Sequence, residues 1–362
     1  MHIVHTESSQ GWGGQEIRIL EEAAGMRARG HRVTVIAPGE TRLYGEAERR
    51  GLAAVDLPIG RKRLRGVLAL RRWLAGARPD VVNTHSSTDS WLVALACMLL
   101  ASPPPVVRTR HISAPVPDNR ATRWLYTGAT RHIVTTGGSL RQQLIDANRF
   151  PAERVTSVPT GISLERFAPG DRSRARAQTG LPADWTIVGI VATLRSWKGH
   201  RFLLDALARL AHPKLGLAIV GDGPQRGALE AQIHELGLSG RVWMPGDQRD
   251  VLPWLQSFDI FALPSYANEG VPQALVQAML AGLPCVATAA GAIGEAAVDG
   301  ETALVVAPQD AAALAAAIER LAVDPALRAR LGAAARAHCA RHFAYDAMLD
   351  RMEAVFRDAV AA

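Results

Sequence analysis

The stretch Ser265–Gly291, SYANEGVPQALVQAMLAGLPCVATAAG, places one carboxylate, Glu269, beside Gly270, Val271 and Pro272. A helical apolar pattern follows through Ala274, Leu275, Ala278 and Met279. It stops at Gly282 and Pro284, and Cys285–Thr288 then reads as a short buried strand. The free N–H groups and the dipole of a helix N-terminus favour an anion. A carboxylate is not the partner of that anion; it accepts hydrogen bonds from hydroxyls beside it. Phosphate on backbone N–H groups, with hydroxyls on a carboxylate, describes a sugar nucleotide.

Other residues carry compatible chemistry. Arg195 and Lys198, in LRSWKGH, follow an apolar run over 186–192. At a strand-to-helix turn two cations so spaced can reach one diphosphate and offset its charge; the alternative is a solvated helix start. Gly11-Trp12-Gly13-Gly14 follows the first apolar run, and backbone at Gly13 and Gly14 can approach a diphosphate closely. It is not a dinucleotide fingerprint, since Glu16 stands where the third glycine would be. Gly221-Asp222-Gly223-Pro224 reads as a tight turn after a buried strand. His111 ends VVRTRH at the carboxyl end of a strand; His85, in VVNTHSS, ends the strand before it and competes for the same role.

These residues need a frame. Candidate strands lie at 2–4, 32–37, 81–83, 106–109 and 132–135, then at 186–192, 217–220, 241–244, 260–263, 285–287 and 303–306. Helical patterns fill the intervals, so each half predicts a parallel, doubly wound α/β sheet. The expected division is an N-terminal domain over 1–170, a polar linker over 171–182, a C-terminal domain over 183–341, and a segment 342–362 that crosses back. Within that last segment Met348, Leu349, Met352, Val355 and Phe356 share one helical side. Two such domains facing across a cleft would bind ligand at the carboxyl ends of their strands.

With 362 residues and 48% hydrophobic composition the chain can bury two cores. Residues 1–180 hold 26 Lys+Arg against 15 Asp+Glu, and the remainder holds 15 against 19. That asymmetry argues against uniform nucleic-acid binding, and no nucleic-acid motif accompanies it. The run 61–73 has no acid, and Leu64, Val67, Leu68 and Leu74 fall near one helical face. It fits an anionic membrane surface or an ordinary outer helix. Cys97, Cys285 and Cys339 lack metal or redox spacing. No metal-ligand cluster is evident. The start MHIVHTE reads as a strand rather than a signal peptide, so a cytoplasmic location is expected, with peripheral contact on the inner membrane face.

The segment at Glu269 resembles the signature of the family 4 glycosyltransferases, retaining enzymes with the two-domain GT-B fold. Their pattern has two glutamates with seven residues between them and a small-Gly-x-Pro turn. Here Glu269 is the first, Ala281-Gly282-Leu283-Pro284 is the turn, and Gln277 stands at the second. The glycine turn, RGHRVTVI, RPDVVNTHS, VPTGISLERFAP, LRSWKG and IVGDGP appear in family order and extend the resemblance over nearly the whole chain. It implies a nucleoside-diphosphate sugar as co-substrate, no other cofactor, and no divalent metal. A hexose-type sugar would pass with retention to a glycan or lipid-linked acceptor, of cell-surface polysaccharide or lipopolysaccharide type. Glu269 would hold donor-sugar hydroxyls, and Gly270 and Val271 the phosphate. Lys198 matches a family position directly. The family arginine falls at Thr193, so Arg195 is not a direct match and would supply that charge from a shifted position. Gln277 would hold ribose, Gly221, Gly223 and Pro224 would flank the nucleotide, Arg249 would lie near the base, and His111 near the sugar. A sugar-nucleotide epimerase of the same architecture, or a non-catalytic glycan or lipid binder suggested by Gln277 and Thr193, are the rival readings.

Overall fold

The computed structural model describes residues 1–361. The chain divides into two compact units, one of residues 1–160 with the segment from Asp346 onward, the other of residues 161–345.

The first unit holds seven strands: β1 (His2–Thr6), β2 (Arg32–Ala37), β3 (Ala53–Asp56), β4 (Val81–Thr84), β5 (Val106–Arg110), β6 (His132–Thr135) and β7 (Val155–Ser157). They pair in parallel in the order β3-β2-β1-β4-β5-β6-β7. The order reverses between β1 and β4, which opens a crevice at their carboxyl ends. β1 and β4 are buried along their whole length, as parallel strands covered on both faces must be. On one face Val67, Leu70, Leu92 and Val93, from helices Leu64–Ala77 and Ser87–Met98, pack with Val4 and Val82 of the sheet. The final helix, Tyr345–Ala361, buries Met348, Leu349, Met352, Val355 and Phe356, the side expected from sequence. Arg29 pairs with Asp350 and Glu353 of that helix at 2.8 and 3.2 Å.

The second unit holds β8 (Thr186–Val191), β9 (Leu215–Val220), β10 (Val242–Gly246), β11 (Ile260–Leu263), β12 (Cys285–Thr288) and β13 (Leu304–Val306). They run in parallel in the order β10-β9-β8-β11-β12-β13, with the reversal between β8 and β11. The alternating strand and helix pattern expected from sequence is present in both units.

The expected linker 171–182 differs. Asp171 caps a helix over Arg172–Thr179, accepting from the N–H groups of Ser173 and Arg174, and Gly180 ends it in the left-handed region. Arg176 is buried; it donates to the Ser257 carbonyl at 3.0 Å and to Asp259 at 2.6 Å. Those contacts place this polar helix within the second unit, and the units divide instead at 160/161 and 345/346.

Candidate active site

The switch point of the second unit gathers the charge pair. β8 leads into Ala192–Lys198, whose last residues form a 3₁₀ turn, and β11 leads into Ser265–Pro272. Lys198 Nζ donates to Glu269 Oε1 at 2.6 Å, with side-chain exposures of 20% and 6%. The backbone fixes both ends. Gly199 has φ +76°, and a Cβ there would lie 2.1 Å from the Pro264 carbonyl oxygen. Gly291 has φ +59°, and a Cβ there would lie 2.1 Å from the Glu269 carbonyl oxygen. Only glycine lets these backbones touch. Beyond Glu269, Gly270 and Val271 are buried and lead into helix Gln273–Leu280.

The switch point of the first unit gathers three histidines. His5 Nδ1 lies 3.1 Å from His85 Nε2, and His85 Nδ1 lies 2.9 Å from His111 Nε2. The ring centroids follow one another at 5.3 and 5.2 Å, with 23° and 33° between successive planes, so the rings meet edge to edge through these nitrogens. His85 and His111, rivals in the sequence, are thus members of one chain. Burial, aided for all three by the charge of Arg18, holds them below the ordinary imidazole range, with His5 lowered to about 3. Asp89 anchors the middle member, accepting from Thr6 Oγ1 at 2.8 Å and from the His85 and Ser86 N–H groups at 2.9 Å each. Beside them stand Glu7 and Glu16, both buried. Burial, with Asp89 adding negative charge, pushes the Glu7 carboxyl up to about 8. Glu7 accepts from the Ser9 N–H at 2.7 Å and from the Gln15 amide.

Two family patterns match in succession: Glycosyltransferase Family 4 over residues 12–166 and Glycosyl transferases group 1 over 171–338. A D-inositol 3-phosphate glycosyltransferase of Frankia alni is 31% identical over 294 residues, covering 72% of this chain and 70% of that protein. The chain belongs to the family 4 glycosyltransferases. Another relative of the same description, from Stackebrandtia nassauensis, is 30% identical; the match covers 80% of this chain and 65% of that protein's length. Anabaena Alr3699/HepE, solved in complex with UDP-glucose, shares the GT-B fold with a TM-score of 0.88 at 24% identity, over 99% of this chain and 100% of its own.

The remaining expected residues of this family 4 chain fall in several places. Arg195 is exposed, and its guanidinium lies 5.8 Å from the Trp197 ring. Gln277 is half-buried on helix Gln273–Leu280. The Gly221–Pro224 turn is hydrogen-bonded to the loop after β8, the Leu194 N–H donating to the Asp222 carbonyl and the Gln225 N–H to the Leu194 carbonyl, both at 3.0 Å. That contact gives Gly221 and Gly223 a structural task, the alternative left open by sequence. Arg249 is exposed in the loop after β10. Gly13 caps the first helix, Gly14–Ala28, whose first turn carries the buried Glu16. The run 61–73 splits: Val67, Leu70 and Leu74 are buried, while Leu64 and Leu68 are exposed. His5, Glu7, Glu16 and Asp89 went unread in sequence as site residues, because their grouping depends on which strand ends are neighbours.

Proposed function

We propose that this chain transfers a hexose-type sugar, with retention, from a nucleoside diphosphate to a hydroxyl of a glycan or lipid-linked acceptor. The observation that carries this is the Lys198–Glu269 pair at the switch point between β8 and β11. One cation and one carboxylate stand there together, as diphosphate and sugar hydroxyls require. Lys198 and Arg195 would meet the phosphates, with the Gly270 and Val271 N–H groups. Glu269 would accept from sugar hydroxyls, and Gln277 would hold ribose. Gly221, Gly223, Pro224 and Arg249 would border the nucleotide, and His111 the sugar. The Glu16 carboxyl is hydrogen-bonded to the Gly13 backbone and Glu7 accepts from Gln15, the residue after Gly14, and these carboxyl groups suit acceptor hydroxyls better than a second phosphate. UDP-glucose on Anabaena HepE supports a UDP-type donor. The inositol phosphate named in two relatives supports a polyol acceptor.

The leaving diphosphate's charge would be met by these side chains without a metal. Among the described residues no three or more His, Cys, Asp or Glu are grouped to hold one. Activity in excess EDTA is the corresponding measurement.

An anionic membrane surface is the proposed docking partner of the first unit. Arg61, Lys62, Arg63 and Arg65 are exposed around Leu64 and Leu68. The neighbouring helix adds exposed Leu95, Met98 and Leu99, joined to the first by an Arg71 donation to the Leu99 carbonyl at 3.0 Å. Cations around exposed apolar side chains match anionic headgroups over acyl chains. Among the described residues no helix is long and apolar enough to cross a membrane.

Incubation with UDP-, GDP- and ADP-sugars tests the main proposal. Binding followed by sugar transfer to an acceptor is expected. Conversion of the donor with no acceptor would identify an epimerase, and donor binding without turnover over a broad acceptor panel would leave the non-catalytic reading.

A further inference from the structure

Three imidazoles in series form a directional device, because a neutral imidazole has one N–H and one lone pair. If His5 Nδ1 donates to His85 Nε2, then His85 Nδ1 carries the second proton and donates to His111 Nε2. The proton of His111 must then sit on Nδ1. If the direction is reversed, His111 Nε2 donates to His85 Nδ1, His85 Nε2 donates to His5 Nδ1, and the proton of His5 sits on Nε2. One end of the chain decides between the two. His5 Nε2 is buried and has no hydrogen-bond partner among the described residues. His5 is fully buried, with the Phe356 ring edge-on at 6.3 Å. An orphaned buried N–H is rarer than an under-satisfied acceptor, so this position favours a lone pair. The far end differs: His111 is half-buried, and among the described residues its Nδ1 has no hydrogen-bond partner.

We infer that His5 and His85 are positioning residues that fix His111 in the tautomer protonated on Nδ1, so that His111 presents an N–H donor at the carboxyl end of β5. The neutral state this requires agrees with the desolvation and the Arg18 charge that hold all three imidazoles below their ordinary range. Asp89 accepts from the His85 backbone N–H and the Thr6 hydroxyl, so the strand ends that carry the first two rings are tied together. The role for the donor rests on the proposed function: a neutral N–H suits a sugar hydroxyl or a glycosidic oxygen. The tautomer itself rests only on the three rings.

Histidine-selective ¹⁵N labelling of the full chain, with ring resonances assigned through single His→Asn variants, reads the tautomer directly. His111 protonated on Nδ1 and His5 bare at Nε2 are expected. His111 protonated on Nε2 in the wild-type protein would overturn the inference, whatever the protein's activity. Turnover gives the second arm. His5→Leu removes the donor that starts the chain, and kcat should fall roughly tenfold, the scale of one hydrogen bond, with donor KM unchanged. His5→Asn keeps an N–H at the Nδ1 position and should restore both kcat and the His111 resonance. If His5→Leu fails to fold, the wild-type spectrum still decides. If Asn fails to restore while it folds, His5 is a packing residue only. If no donor binds at all, the transferase reading fails while the tautomer measurement stands.

Discussion

Lys198 Nζ stands 2.6 Å from Glu269 Oε1, so a charge pair within the protein itself joins the loop after β8 to the loop after β11. The pair is enclosed enough that removing one partner strands the other. Lys198→Ala and Glu269→Ala should each lower stability by about 1–3 kcal/mol. The double variant should fall short of their sum by about 0.5–3 kcal/mol, and additive losses in urea denaturation would show that the two groups do not interact. A donor diphosphate would compete with Glu269 for Lys198. Lys198→Ala should therefore also reduce turnover roughly 10²–10³-fold, while Glu269→Gln should lose rate more than donor affinity.

Gln277 departs from the family glutamate and sits half-buried on the helix that begins just after Glu269. If it holds ribose, Gln277→Glu keeps the acceptors and should keep activity. Gln277→Ala should weaken donor affinity by about 1–2 kcal/mol and leave acceptor KM unchanged. Titration calorimetry with the donor decides it: unaltered affinity in Gln277→Ala removes this residue from the site.

Much of this arrangement was legible because parallel strands buried on both faces are continuous apolar runs, as in TIVGIV and LGLAIV. β3 and β7 were not legible. Ala53–Asp56 and Val155–Ser157 are short edge strands, too small and polar to stand out. The charge of Arg172–Thr179 hides its helix and gives it the look of a linker, although Asp171 and Gly180 are ordinary start and stop signals. The Lys198–Glu269 pair was half-legible, each residue being singled out but not their contact across the switch point. The histidine chain was invisible as a unit, since His5, His85 and His111 meet only once β1, β4 and β5 are neighbours.

The surface around Leu64 offers a separable test. Vesicles containing anionic lipid should sediment the protein, and neutral vesicles should not. Replacing Arg61, Lys62, Arg63 and Arg65 with Gln should abolish sedimentation, since each cation near the surface contributes about 1 kcal/mol. Raised salt should weaken it in the wild type. Equal binding to neutral vesicles would remove the electrostatic part of the proposal.

Glu7 gives a pH signature with a defined sign. Its carboxyl is pushed up to about 8 from an ordinary 4.5, first by burial and then by the charge of Asp89. Between those values the folded chain keeps a proton that the unfolded chain has lost. The stability this contributes is fully present below pH 4.5 and is lost as pH rises through 8. His5 acts in the opposite sense: lowered to about 3 from 6.5, its contribution is present above 6.5 and lost as pH falls. From 6.5 to 8 the Glu7 loss therefore proceeds after the His5 contribution is complete. Glu7→Gln keeps an acceptor for the Ser9 N–H and removes the titration. The stability of Glu7→Gln relative to wild type should rise between about pH 5 and 8, by at most ~1.4 kcal/mol per pH unit, and level off above 8. Denaturant titrations across that range measure the difference directly. A difference constant from about pH 5 to 9 would mean that Glu7 is already ionised in the native protein, and that a negative charge stands against Gln15, next to Gly14, where a phosphate would otherwise approach.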